Sequence, residues 1–78
     1  MNKIETIIYK WIKKKTKDVK LDQNLISNNI IDSFDMMTLI IFCEKEFKIR
    51  FKEKDLIDKN FKSISKIASM ISNYKKIK

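Results

Sequence analysis

The 78-residue chain contains no histidine, no glycine, no proline and a single cysteine. The absence of histidine removes the usual general base for a serine or cysteine nucleophile and the commonest metal ligand. One cysteine forms neither an intrachain disulfide nor a cysteine-rich metal site, and no glycine-rich phosphate loop is present. We therefore expect a protein that is not an enzyme, holds no metal and resides in the reducing environment of the cytoplasm.

Long apolar stretches are also missing. The longest, Leu39 to Cys43, is far too short to cross a bilayer. Lysines follow Ile7 and Ile8 so closely that the N-terminal region does not resemble a signal peptide. We expect no membrane insertion. A hydrophobic fraction of 44% is sufficient for a folded protein, and the length predicts one small domain over residues 1–78.

Basic residues are abundant but unevenly placed. The formal charge is +8, yet residues 21–44 contain no lysine or arginine and carry −4, between flanks of +5 and +7. A basic excess is typical of proteins that bind nucleic acid or anionic membranes. The chain is also rich in Ile and Asn, which share A/T-rich codons with Lys, so genomic composition is the simpler explanation for much of the lysine.

Hydrophobic periodicity predicts an all-α protein. An apolar face with period 3.6 and a capping box of Asn2 and Glu5 predict a first helix from about Lys3 to Lys15. Residues 16–31 have no helical period and predict a long loop, pinned to the core by apolar anchors. The anchors are Val19, Leu21, Leu25, Ile26, Ile30 and Ile31.

The second predicted helix begins after Asp32 as N-cap, with Asp35 in its first turn, and runs to about Phe47. An extended piece follows at residues 48–52, and one or two short helical turns are expected from Glu53 to Asp58. A last helix, capped by Ser63, has one apolar face. That face consists of Ile64, Ile67, Ala68, Ile71 and Tyr74. The prediction is a small four-helix bundle with three longer helices, one short third helix and a long loop between helices one and two.

The second helix has more apolar surface than its core face needs. At 100° per residue the core face gathers Met36, Leu39, Ile40, Cys43 and Phe47. A second strip beside it holds Phe34, Met37 and Ile41, and Phe42 falls within the polar arc. Two explanations stay open. In the first, neighbouring elements cover the strip, which is more plausible for Met37 than for Phe42. In the second, the strip is exposed and forms a partner surface.

Ser33 lies at the first turn of this helix, where free backbone N–H groups and the positive dipole end favour a phosphate. The sequence from Asn29 to Phe34, NIIDSF, followed by an apolar helix, resembles the acyl carrier protein family. That family carries 4′-phosphopantetheine on the serine of a G-x-x-D-S-L type motif. The resemblance covers nearly the whole chain and includes the NFKSI segment, Asn60 to Ile64, which opens the last helix.

The departures from the family pattern are specific. Asn29 occupies the usual glycine position, where a left-handed turn is required, and asparagine is the next best residue for it. Phe34 replaces the common leucine. Thr38 stands where an acidic residue is expected, and Lys45 lies nearby. Carriers of fatty acid synthesis are strongly acidic, so these departures favour a specialised acyl or aminoacyl carrier.

The resemblance implies a function without catalysis. A phosphopantetheinyl transferase would attach the arm to Ser33, and a loading ligase or synthase would place an acyl or aminoacyl group on it as a thioester for downstream acyltransferases. We expect a monomer that visits these partners in turn. The expected partner-binding residues are Asp32, Phe34, Asp35, Met37, Thr38, Ile41 and Phe42.

Two alternatives remain. One is a small basic helical module that binds nucleic acid. The carrier interpretation, in contrast, expects no nucleic-acid partner. Its contacts would be Lys10, Lys13, Lys14, Lys17, Lys75, Lys76 and Lys78. The acidic centre of the chain and the lack of a recognised nucleic-acid motif argue against it. Peripheral membrane association through the first helix ranks last, because the apolar face of that helix is needed for the core.

Overall fold

The computed structural model describes residues 2–16 and 18–76, which form three α-helices and two 3₁₀ turns without any strand in those ranges. Helix α1 spans Lys3–Lys13, α2 spans Ser33–Phe47 and α3 spans Ile64–Lys76. The predicted all-helical class is confirmed, and so are the start and end of the second helix.

The predicted short third helix is instead two separate 3₁₀ turns, Glu53–Asp55 and Asp58–Phe61. The residues between them break the helical path. Leu56 has φ −85° and ψ 64°, and Ile57 is extended at φ −125° and ψ 152°. The prediction of one or two short helical turns is therefore confirmed, except that the second turn begins at Asp58 and runs to Phe61, whereas a single third helix is not formed. The described part of the chain has three α-helices.

Helix α1 begins at the predicted capping box. The backbone N–H of Glu5 donates to Asn2 Oδ1 at 2.8 Å, and the N–H of Asn2 donates to Glu5 Oε1 at 2.9 Å. The helix ends two residues before the predicted Lys15. There the backbone tightens, because the N–H of Lys15 donates to the carbonyl oxygen of Ile12, three residues back, at 2.8 Å.

The long loop between α1 and α2 is fixed by backbone hydrogen bonds to the start of α3. The N–H of Leu25 donates to the carbonyl oxygen of Lys62 at 2.6 Å, and the N–H of Ser65 donates to that of Leu21 at 2.9 Å. The predicted anchors are confirmed, because Val19, Leu25 and Ile31 are buried and Leu21, Ile26 and Ile30 are half-buried against the core.

The buried apolar side chains form one cluster to which every α-helix contributes. Its largest fully buried members are Ile8, Ile12, Leu25, Leu39, Cys43, Phe61, Ile64, Ile67 and Ile71. The predicted cap of α3 is confirmed, since Ser63 Oγ accepts from the N–H of Lys66 at 3.2 Å. Lys75 Nζ near the end of α3 donates to the carbonyl oxygen of Phe47 at 3.4 Å, so the ends of α2 and α3 lie together.

Three aromatic side chains pack the connector between α2 and α3, residues 48–63, against α3. The rings of Phe61 and Tyr74 pack edge-to-face on Phe51, with centroid distances of 5.9 and 5.3 Å. The Tyr74 hydroxyl accepts from the N–H of Lys52 at 2.7 Å and donates to the Asp55 carboxylate. Burial and the Asp55 partner raise the pKa of Tyr74 above its ordinary value, so this hydroxyl keeps its proton at neutral pH.

Candidate functional site

The candidate site is built at the start of α2, where Asp32 caps the helix. Its backbone is extended, with φ −108° and ψ −172°. Asp32 Oδ1 accepts from the N–H of Asp35 at 2.8 Å, and Asp35 Oδ2 accepts from the N–H of Asp32 at 3.3 Å. The predicted N-cap is therefore part of a full capping box, with aspartate in place of the more usual glutamate at its third helical position.

Asn29 adopts the left-handed conformation that the sequence predicts for it, with φ 57°. Its N–H donates to the carbonyl oxygen of Ile26 at 3.1 Å, which closes a turn just before the helix. Two residues later, Ile31 is 2% exposed and anchors the chain in the core. The left-handed turn therefore allows the backbone to leave the loop, bury Ile31 and reach Asp32.

Ser33 is the first residue of α2, and its side chain is exposed. The N–H of Asp35 is taken by the cap, whereas those of Ser33 and Phe34 have no hydrogen-bond acceptor among the described residues. Free N–H groups and the positive end of the helix dipole thus lie beside an accessible hydroxyl. This arrangement is suited to holding a phosphate group near the serine oxygen.

Lys15, for which the sequence predicted no role at the site, reaches this turn from the segment after α1. Its Nζ donates to Asp35 Oδ1 at 2.8 Å and lies 5.4 Å from the ring centroid of Trp11. The hydrogen bond from Lys15, followed by that from the N–H of Asp32, lowers the pKa of Asp35 below 3.8. Asp35 is therefore ionised at neutral pH, with both carboxylate oxygens occupied.

The second apolar strip on α2 is open. Phe34 is 71% exposed, Met37 63% and Ile41 53%. The explanation that neighbouring elements cover this strip is therefore wrong, including for Met37, where it looked most plausible. The strip begins next to Ser33 and continues along one face of the helix, because its members are spaced by three and four residues.

The expectation that Phe42 is open is corrected by the structure. Its ring is half-buried and packs on Trp11 of α1, with centroids 6.2 Å apart and planes inclined by 33°. The wheel of α2 alone places Phe42 among polar residues, but Trp11 of α1 packs against that side of the helix. Thr38, the other predicted contact on this side, is half-buried and donates from Oγ1 to the carbonyl oxygen of Asp35 at 2.8 Å.

Two further exposed apolar side chains lie on the connector between the 3₁₀ turns. Leu56 is 40% exposed and Ile57 is 48% exposed. Sequence reasoning did not single them out, because the segment has no sustained period from which an open face could be recognised. Cys43 behaves as predicted, since it is fully buried and burial raises its pKa to about 12. Its thiol is therefore neutral and shielded from reagents.

The lysines of the nucleic-acid alternative differ in their surroundings. Lys10 and Lys14 are exposed, whereas the ammonium of Lys13 lies 5.7 Å from the ring centroid of Tyr9. Lys75 makes the contact with Phe47 already described. Lys17 and Lys78 lie outside the described residues, and of Lys76 only the backbone is described.

No protein-family model matches the sequence, and no curated protein sequence matches it with significant similarity. Within residues 2–16 and 18–76, no helix combines the length and the apolar character needed to cross a membrane.

Proposed function

We propose that this chain is a carrier protein of the acyl carrier kind, with Ser33 as the attachment point of 4′-phosphopantetheine. One observation carries the proposal. Ser33 is exposed at the first position of α2, directly beside the open strip of Phe34, Met37 and Ile41. The left-handed Asn29 supports it further, because the carrier motif has glycine there.

The residues around Ser33 fit the chemistry of attachment. Ser33 Oγ forms the ester bond to the pantetheine-side phosphorus of coenzyme A, the pyrophosphate P–O bond breaks, and adenosine bisphosphate leaves. The hydroxyl proton passes to a base of the transferase. The free N–H groups of Ser33 and Phe34 stabilise the phosphate oxygens by hydrogen bonding and by the helix dipole. When attached, the arm supplies a thiol that holds an acyl or aminoacyl group as a thioester.

The neighbouring side chains have separate roles in this proposal. Apolar contact with partner enzymes is provided by Phe34, Met37 and Ile41. A few apolar side chains that become buried on binding carry most of the energy of an interface. Asp32 is the acid available to partners, because Asp35 is already paired with Lys15. Phe42 and Thr38 act from the edge of the strip, where they are half-buried.

The proposed architecture is the carrier four-helix bundle, in which the two 3₁₀ turns take the place of the short third helix. Residues 1–78 form one carrier domain that works as a cytoplasmic monomer. Its partners are a phosphopantetheinyl transferase, a loading ligase or synthase and downstream acyltransferases. The mixed charge along α2, with Thr38 and Lys45 in place of a continuous acidic face, favours a specialised acyl or aminoacyl pathway over primary fatty acid synthesis.

Intact-mass measurement after co-expression with a broad-specificity phosphopantetheinyl transferase tests the proposal. The wild-type chain is expected to gain one phosphopantetheine group, and Ser33→Ala is expected to gain none. Ser27→Ala is the matched control, because Ser27 is an exposed serine in the preceding loop. Its replacement is expected to leave the modification intact. An unmodified wild-type protein, or a mass shift that survives Ser33→Ala, contradicts the proposal.

A titration with single-stranded and duplex oligonucleotides at increasing salt concentration distinguishes the nucleic-acid alternative from the carrier proposal. Neutralisation of several phosphates produces a steep linear fall of log affinity with log salt. The carrier proposal expects no saturable binding at physiological ionic strength. Tight, strongly salt-dependent binding together with no modification of Ser33 favours the alternative.

A further inference from the structure

A groove of about 520 Å³ lies between the connector that follows α2 and the outer face of α3, and it does not include Ser33. Arg50, Lys52 and Lys54 line its connector side, and Lys66 lines its α3 side. A volume of this order is typical of sites for small molecules. The groove is therefore a concave feature of ligand size with positive charge on both walls.

The positive charge of the groove is not neutralised within the protein. Among the described residues, the side chains of Arg50, Lys52, Lys54 and Lys66 have no hydrogen-bond or ion-pair partner. Asp55 is the one acidic residue of the lining, and its carboxylate accepts from the Tyr74 hydroxyl. Four cations thus line the groove, and the one carboxylate of the lining is already hydrogen-bonded to Tyr74.

The walls of the groove are held in fixed relation by contacts at its base. The Tyr74 hydroxyl ties α3 to the N–H of Lys52 and to Asp55, and Asn60 Nδ2 donates to the carbonyl oxygen of Asp55 at 2.8 Å. These bonds fix the backbone from which the connector cations project. A ligand therefore meets a preformed arrangement of backbone and does not have to order a loop.

We propose that this groove binds a small molecule bearing a di- or triphosphate group. Cations on two opposite walls match an extended polyphosphate better than a single phosphate, which contacts one wall. Arg50 supplies the planar, bidentate donor pair that phosphate oxygens favour, and the lysines supply point charges. The bounded volume favours a small ligand over a nucleic acid strand, which needs a continuous track.

Calorimetric titration of the 78-residue chain with inorganic tripolyphosphate tests the proposal. We expect saturable one-to-one binding that weakens as salt is added. Arg50→Gln with Lys66→Gln removes one charge from each wall and is expected to weaken binding by roughly tenfold or more. Amide chemical-shift changes are expected at residues 50–55 and 66–74.

The matched control is Lys20→Gln with Lys45→Gln, which removes the same charge from exposed positions outside the groove. Its affinity for tripolyphosphate is expected to stay within about twofold of wild type. Three results overturn the proposal: no saturable binding, an equal loss in both double variants, or binding of an oligonucleotide with none of tripolyphosphate. The first result would show that the groove is a solvated surface without a ligand. The second would show that the affinity depends on total charge, and the third that the ligand belongs to a different class.

Discussion

Lys48 ends α2 in the left-handed conformation, with φ 54° and ψ 49°, and its replacement by glycine is expected to stabilise the protein. A residue with a Cβ loses about 1–2 kcal/mol in this region. Glycine removes that strain but loses about 0.5–1 kcal/mol more backbone freedom on folding. The N–H of Lys48 still donates to the carbonyl oxygen of Glu44, because that bond is a main-chain bond. The expected net gain is about 0.5–1 kcal/mol.

Lys45→Gly is the matched control for this prediction. Lys45 is also exposed, lies three residues earlier within the last turn of α2, and carries the same charge, but its backbone is right-handed helical. Glycine in a helix interior costs about 0.5–1 kcal/mol relative to ordinary residues. The two variants should therefore differ in free energy of unfolding by about 1–2 kcal/mol, with opposite signs relative to wild type.

Urea unfolding followed by far-ultraviolet circular dichroism measures both variants. The transition midpoint is expected to rise for Lys48→Gly and fall for Lys45→Gly, with an unchanged dependence of free energy on urea. The melting temperatures should separate by several degrees, since about 1 kcal/mol corresponds to about 4–8 °C in a protein of this size. If Lys48→Gly destabilises the protein as much as Lys45→Gly, the strain attributed to the left-handed residue is absent.

Asn29→Gly should leave the urea midpoint nearly unchanged, because asparagine already tolerates φ 57°, whereas Asn29→Ala should cost about 1 kcal/mol. Lys15→Gln should raise the pKa of Asp35 towards 3.8 in a carboxyl NMR titration. A lowered native pKa stabilises the fold above the ordinary pKa, so the stability advantage of wild type over Lys15→Gln should disappear as the pH falls through and below 3.8. Leu25→Ala should destabilise the protein by about 2–5 kcal/mol in urea unfolding, because Leu25 is fully buried. Ile41→Ser should change stability by less than about 0.5 kcal/mol but slow the enzymatic modification of Ser33 by roughly tenfold, and an unchanged rate would argue against the strip as a docking surface.

The local features of this protein were predictable from the sequence because they are formed by residues close together in the chain. The capping boxes of Asn2 with Glu5 and of Asp32 with Asp35 each join residues three apart. The left-handed Asn29 was expected from the resemblance to the carrier motif, which has glycine at that position, and asparagine tolerates the positive φ. The exposed Ser33 then follows from its place in the first turn of α2.

The contacts between α1 and α2 were not predictable in the same way. Lys15, two residues after the end of α1, reaches Asp35, and Trp11 of α1 packs on Phe42, because the tertiary fold brings these segments against α2. A helical wheel describes one helix and contains no information about its neighbour. The sequence predicts the end of α1 two residues too late, because Lys13, Lys14 and Lys15 contain no residue that stops a helix. Only the backbone geometry shows where the last turn tightens.

The sequence pattern also did not predict where the connector between α2 and α3 divides into two 3₁₀ turns. Leu56 and Ile57 are ordinary helix or strand residues, and no glycine or proline marks the break between them. The hydroxyl of Tyr74 and the amide of Asn60, which bind Asp55 from different directions, favour a tight turn at that point.

The hydrogen bond from Leu25 to Lys62 makes one loop amide a reporter of the whole fold. Most loop amides exchange their protons with solvent through small local openings. The Leu25 amide belongs to a fully buried residue and donates to the carbonyl oxygen of Lys62, just before α3, so its release requires the loop to separate from that segment. Its deuterium exchange should be as slow as that of the most protected helical amides, and its rate would measure the free energy of global unfolding without any denaturant.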